Sequence, residues 1–168
     1  MITFEEAIET VLKNAKPLPA AQVRVEDAAG RVLLEELRSG LDMPPFDKSA
    51  VDGYAVRCAE AVRPLRNVGL IQAGDIFKGK AGPRGCVKIM TGAPVPPWAD
   101  SVVMVEDSSE KDGSVTFLKA PAKGANICLR GEDIKRGSRI LARGTLLSLS
   151  HIAVMAAIGR SSVKAGAL

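Results

Sequence analysis

Between Pro44 and Val56 the chain reads P-P-F-D-K-S-A-V-D-G-Y-A-V, which puts two carboxylates, Asp47 and Asp52, and one hydroxyl, Ser49, into a single non-repetitive segment. Oxygen donors of this kind suit three jobs. They can hold Mg2+, which takes one or two carboxylates and leaves the rest of its shell to phosphates and water. They can position a hydroxylated ligand, or they can move protons. Turn chemistry is the structural alternative, because Asp and Ser side chains readily bond nearby backbone. Pro44-Pro45 forbids a continuous helix, and Asp52-Gly53 predicts a tight turn with a positive φ at the glycine. A polar loop fixed at both ends is a common place for chemistry.

Two further segments share this texture. In Ile89 to Pro97, I-M-T-G-A-P-V-P-P, a short strand opens into a proline-stiffened loop at Thr91-Gly92. Glycine there lets backbone N–H groups approach an oxyanion, and the threonine hydroxyl adds a donor. In Arg130 to Gly137, R-G-E-D-I-K-R-G, Glu132 and Asp133 sit among Arg130, Lys135 and Arg136; a solvated turn with local ion pairs is the default for such a run. A fourth candidate fails. Gly74 to Lys80, G-D-I-F-K-G-K, satisfies the first seven positions of a phosphate-binding P-loop, but Ala81 stands where the Mg2+-binding Ser or Thr belongs. Gly82-Pro83 then blocks the helix that would receive the phosphates, so the segment reads as a turn between strands. ATP binding through Lys80 is not expected.

The three blocks, in this order and at these intervals, resemble the N-terminal region of the molybdopterin molybdenumtransferases, the family of MoeA and the gephyrin E domain. Its pattern runs P-x-F-D-x-S-x-x-D-G-Y-A, then I-x-T-G-A-x-x-P, then R-G-x-D-I. The resemblance extends from Thr3 to about Val163 and stops short of the whole family protein. It implies an enzyme that, with Mg2+, converts adenylated molybdopterin and molybdate into molybdenum cofactor and AMP. It implies Asp52, Thr91 and Asp133 as catalytic residues, with Asp52 and Asp133 as the metal carboxylates, which of the two being left open. Ser49, Gly92, Arg130 and Glu132 are the implied substrate contacts, with Asp47 an open case between turn and site. Family members often carry basic residues between the Asn and the Gly of the third block, here Asn126 and Gly131; in this chain Ile127, Cys128 and Leu129 leave only Arg130.

The resemblance further implies that a pterin-binding α/β domain and a β-barrel domain follow this region in the full enzyme, so that this chain alone is incomplete and inactive. Its implied partners are a second copy of itself in a homodimer, the pterin-binding portion of the same enzyme, and molybdopterin adenylyltransferase. The alternative is a non-catalytic dimerisation or scaffold module that keeps the same fold.

Composition narrows the field independently. The chain has 168 residues, 46% hydrophobic and 25% charged, enough for one sizeable domain or two small ones without staples. Aromatic content of 4% argues against stacking platforms for single-stranded nucleic acid, and a net charge of +4 spread along the chain gives no basic arm. No apolar run reaches the roughly 20 residues of a membrane span, and no signal peptide precedes the first helix. A cytoplasmic protein with no nucleic-acid or membrane partner is expected. Cys58, Cys86 and Cys128 form no C-x-x-C pair and read as buried free thiols. The single His151 reads as a helix-surface or packed side chain rather than a metal ligand.

These loops need a frame. Thr3 to Glu6 fits a capping box, and Phe4, Ala7, Ile8, Val11, Leu12 and Ala15 follow helical spacing until Pro17 and Pro19. Glu26 to Ala29 suits a short helix closed by Gly30, and Val32 to Leu37 fits helix or strand. Strands are predicted over 67–73, 86–90, 101–106, 114–119 and 139–141, with 102–105 and 115–118 as a hairpin through Asp112-Gly113. Ser148 or Ser150 caps a last helix, Ile152 to Ile158, stopped by Gly159. The fold expected is β-rich α+β, with irregular bifurcated sheets and helices at both ends. Its subdomains are 1–44 with 140–168 (helix-containing) and 45–139 (glycine-rich β).

Overall fold

The computed structural model describes residues 2–16 and 18–167. In chain order the first elements are α1 (Phe4–Asn14), β1 (Ala20–Arg24), β2 (Leu37–Arg38), β3 (Lys48–Ser49), β4 (Gly53–Val56), β5 (Leu65–Ile71) and β6 (Gly85–Ile89). There follow β7 (Ser101–Met104), β8 (Ser108–Lys111), β9 (Ser114–Phe117), β10 (Ile127–Cys128), β11 (Arg139–Leu141), α2 (Leu149–Ala157) and β12 (Ser162–Gly166). This is the β-rich α+β organisation expected, with a helix near each end. The chain divides into two compact units, one formed by residues up to Gly40 and from Gly137 onward, the other by Leu41–Arg136.

In the first unit, β1 pairs antiparallel with β12 over five residues and β2 with β11. Val32 and Leu33 bridge to Leu146 and Ala165, so the segment that suited helix or strand is extended. Leu33, Leu37, Leu147, Met155, Val163 and Ala165 are buried there. Thr3 caps α1 as its spacing predicts: its hydroxyl accepts the Glu6 N–H, and Glu6 accepts the Thr3 N–H at 2.8 Å. Pro17, expected to help end α1, lies outside the described residues; the helix stops at Asn14. Ser148 is the N-cap of α2, and His151 completes that cap, its Nδ1 accepting the Ser148 N–H at 3.1 Å. The lone histidine thus takes the N3 role that Glu or Gln usually fills.

The second unit holds a six-stranded mixed sheet in the order β7-β4-β6-β5-β9-β8, with only β5 and β6 parallel. β4 lies between β7 and β6, one strand in from the sheet edge, and all four of its residues are buried. Tyr54 and Val56 pack with Leu65, Cys86, Val103 and Val115, whereas Ala55 packs with Ile71, Val87, Ile89 and Val102. Successive side chains of a strand point to opposite faces, so the sheet is covered on both. Tyr54 donates its hydroxyl to Glu110 at 2.7 Å, and Asn67 donates to the other oxygen of that carboxylate. The three residues tie β4, β5 and β8 together across the sheet.

Three sequence expectations change. Gly53 is no turn residue: it sits inside β4, where a Cβ would lie 2.0 Å from the Val103 carbonyl oxygen. Close backbone approach, not a positive φ, requires glycine there. The Asp112-Gly113 hairpin is real, but its arms are β8 and β9, while β7 pairs with β4. Residues 105–107 form a short 3-10 turn between β7 and β8. Of the cysteines, all free, only Cys86 is buried; burial pushes its thiol pKa up to about 12. The P-loop-like segment lies in the 72–84 connection from β5 to β6, which contains turns and no helix.

Because backbone atoms rather than a flexible side chain block the space at Gly53, Gly53→Ala should cost about 3 kcal/mol or more. Denaturant unfolding measures this; an unchanged midpoint would show that β7 shifts freely.

Candidate functional site

The Met43–Ser49 segment is the hub of the second unit. On one side it pairs with the Thr91-Gly92 loop: Ser49 N–H donates to Ala93 O (2.9 Å), Gly92 N–H to Ser49 O (2.8 Å) and Val95 N–H to Asp47 O (2.9 Å). On the other, Lys48 and Ser49 pair with Cys128 and Ile127. The chain after β10 continues these contacts, Gly131 N–H donating to Pro44 O at 2.9 Å and the N–H groups of Asp133 and Ile134 both to Met43 O at 3.0 Å. Three motifs far apart in sequence thus form one backbone-bonded body, as buried or half-buried irregular segments must to satisfy their polar groups.

Within it, Asp52 and Thr91 meet directly. Asp52 Oδ1 accepts both the Thr91 N–H and the Thr91 hydroxyl, each at 2.7 Å. These two bonds, the hydroxyl's first, hold the Asp52 carboxyl below the usual carboxylate range. The other oxygen, Oδ2, has no partner among the described residues, and the group is exposed. The hydroxyl proton of Thr91 is therefore used inside the protein, and what this threonine offers outward is lone pairs. The Gly92 N–H is likewise spent on Ser49 O.

Ser49 lies at the centre of the arrangement but not at its surface. It is 1% exposed, and its hydroxyl donates to Val51 O at 2.6 Å, the turn chemistry weighed for it from sequence. Asp47 reaches outward from the hub: its Oδ1 accepts the Arg130 N–H at 2.7 Å. Glu132 caps its own turn, accepting the Leu129 N–H at 2.8 Å. The Asp133 carboxylate is exposed and has no hydrogen-bond partner among the described residues.

One residue of consequence escaped the sequence reading. Asp42 Oδ2 accepts Arg130 Nε at 2.7 Å while its Oδ1 accepts the Arg136 N–H at 2.8 Å. The Arg136 N–H first, then the Arg130 guanidinium, lower the Asp42 pKa. Its partners lie 88 and 94 residues away, so no local signal marks it.

For a metal such as Mg2+ the described residues offer separate carboxylates and no ready-made cluster: no group of three or more His, Cys, Asp or Glu side chains that could hold a metal occurs among them. Asp52 Oδ2 and the Asp133 carboxylate are, however, hard, exposed oxygen donors. That is the sparse protein contribution Mg2+ accepts when phosphates and water complete its shell. Elsewhere in this unit Phe46, Ile76, Phe77 and Pro94 to Pro97 line a cleft of about 360 Å³.

Replacing Thr91 by Val removes the hydroxyl bond, so the Asp52 pKa should move up toward its ordinary value in a carboxyl NMR titration. The sign for stability follows. A lowered folded-state pKa contributes stability above the ordinary carboxylate pKa, and that contribution fades as pH falls through the lowered value. Thr91→Val should shrink this acid-dependent loss; an unmoved Asp52 titration would exclude the hydroxyl as its cause.

Comparison with known proteins agrees with the motifs. A family model described as the MoeA N-terminal region (domain I and II) matches residues 2–159. A molybdopterin molybdenumtransferase of Staphylococcus aureus is 34% identical over 97% of this chain, and one of Haemophilus influenzae is 33% identical over 98%. The chain spans 41% and 42% of those two relatives. The crystal structure of a molybdopterin biosynthesis MoeA protein from Pyrococcus horikoshii superposes with a TM-score of 0.92 at 30% identity, covering 99% of this chain and 46% of that one. A match that runs from residue 2 through all three motif loops leaves one assignment: this chain belongs to the MoeA N-terminal region family.

Proposed function

We propose that the chain supplies one face of an active site that inserts molybdenum from molybdate into adenylated molybdopterin, releasing AMP. The observation that carries this reading is the Asp52 carboxylate, held by two bonds on Thr91 with its second oxygen open, on a body that also bears the Asp133 loop. Asp52, kept ionised, orients water or phosphate at Oδ2. Thr91 fixes Asp52 and offers lone pairs to a substrate donor. Asp133 presents a second open carboxylate, and Arg130 faces the anionic substrate. Glu132, Gly92 and Ser49 shape the loops on which these groups sit. Asp52 or Asp133 would hold Mg2+, which when bound neutralises phosphate charge.

The pterin-binding portion, and a molybdopterin adenylyltransferase delivering the adenylated substrate, complete the proposed system. No helix among the described residues is long and apolar enough to cross a membrane, which suits a site in the cytoplasm. Molybdenum insertion should require this chain and a separately supplied pterin-binding portion together. Asp52→Asn or Asp133→Asn should lower the rate by about 100-fold or more. Association of the two parts without activity would instead favour a scaffold.

A homodimer is part of the same proposal, and α1 supports it. This helix buries no residue, and Phe4, Ile8, Val11 and Leu12 are 43–74% exposed. An 11-residue helix is shorter than the ~12–15 residues at which isolated helices become even marginal in water, so a covering surface is called for. Sedimentation should report a dimer that Ile8→Lys with Val11→Lys converts to monomer. A wild-type monomer at all concentrations would sink the α1 contact.

A further inference from the structure

The geometry points to Asp42 as a positioning residue for the Arg130–Arg136 loop, an assignment that rests on the molybdenum-insertion reading above. Its carboxylate grips the loop at both ends. Oδ2 takes the Arg130 Nε at the entrance and Oδ1 the Arg136 N–H at the exit, at 2.7 and 2.8 Å. Asp133 lies midway between these two grips. Arg130 is 65% exposed on its side chain, whereas Asp42 is only 18% exposed. The anchor is thus half-buried and the anchored side chain the more exposed partner.

The contact at Arg130 has a directional effect. A guanidinium bound through Nε has lost its freedom to rotate, while its two terminal amino groups have no partner among the described residues and remain for an anion. Asp47 fixes the backbone of the same residue through its N–H. The packing at Gly131 is close as well. With φ at +70°, glycine is favoured there, and a Cβ would crowd Asp42 Oδ1 at 3.2 Å, so the loop lies close over the carboxylate. Asp42 therefore acts through Arg130 and the loop, without touching substrate itself.

Two substitutions separate the grips. Asp42→Asn keeps an oxygen for the Arg136 N–H but turns an amide donor toward Arg130 Nε; Asp42→Ala removes both. Each is tested in this chain, mixed with the pterin-binding portion, by molybdenum insertion, and in the chain alone by amide hydrogen exchange. Asp42→Asn should lower kcat/KM about 10-fold, mostly through KM for adenylated molybdopterin. In a cycle with Arg130→Gln, the double variant should be no worse than Arg130→Gln alone, because both remove one interaction. Asp42→Ala should also speed exchange at Arg136 and Asp133 at least 10-fold and leave Thr91 unchanged.

Additive losses in the cycle, an unaltered kcat/KM in Asp42→Asn, or unaltered exchange in Asp42→Ala would each overturn the assignment. If the wild-type mixture inserts no molybdenum, the reading of the site falls, and Asp42's part in catalysis with it. Insertion by wild type with an unaltered Asp42→Asn rate leaves the site standing and removes Asp42 alone.

Discussion

Irregular backbone in a protein needs hydrogen-bond partners as much as a helix does, and Met43–Ser49 finds its partners in two loops at once. Its carbonyls and N–H groups bond to the Thr91-Gly92 segment on one flank and to the segment from Ile127 to Ile134 on the other. Side chains then reinforce what the backbone begins, with Asp52 on Thr91, Asp47 on Arg130 and Asp42 on Arg130 and Arg136. Displacing the hub would leave buried polar groups unpaired, each costing about 1–3 kcal/mol. The arrangement is stiff for that reason.

The division of labour among the carboxylates follows from where their partners lie. Asp42 and Asp47 are occupied by N–H groups of the Arg130–Arg136 loop, and Glu132 by the turn it caps. Asp52 is half occupied, and Asp133 is open. Carboxylates of one chemical kind thus range from clamp to candidate ligand according to how many oxygens the fold leaves over. The buried sheet contrasts with this edge. There the desolvated Cys86 thiol is kept protonated, and even Glu110, exposed on the edge strand β8, has both oxygens engaged by Tyr54 and Asn67.

Much of this was legible in the sequence wherever the cause is local. The Thr3 cap, the Ser148 cap, the Asp112-Gly113 turn and the order of the motif loops all rest on residues a few positions apart. The buried strand β4 was not legible. Its four residues are buried on both faces, so G-Y-A-V shows no polar alternation, and Asp52-Gly53 imitates a turn. The partner of β9 was misassigned because β7 and β8 both precede the hairpin turn, and the more apolar one looked the better mate. For the site, the residue types in the three loops were readable, but which of their atoms remain free was not. That depends on contacts such as Asp42 with Arg136, set by topology rather than by spacing.

The separation of 94 positions from Asp42 to Arg136 also sets a clock on synthesis. A ribosome adding roughly 5–20 residues per second needs about 5–20 s to cover that span. Throughout that time the Asp42 carboxylate has been made and its last partner has not. The sheet strands β4 to β9 emerge in the interval and can pair, whereas the loop assembly must wait for its closing segment. Nascent chains of this protein would therefore acquire a sheet first and a site last.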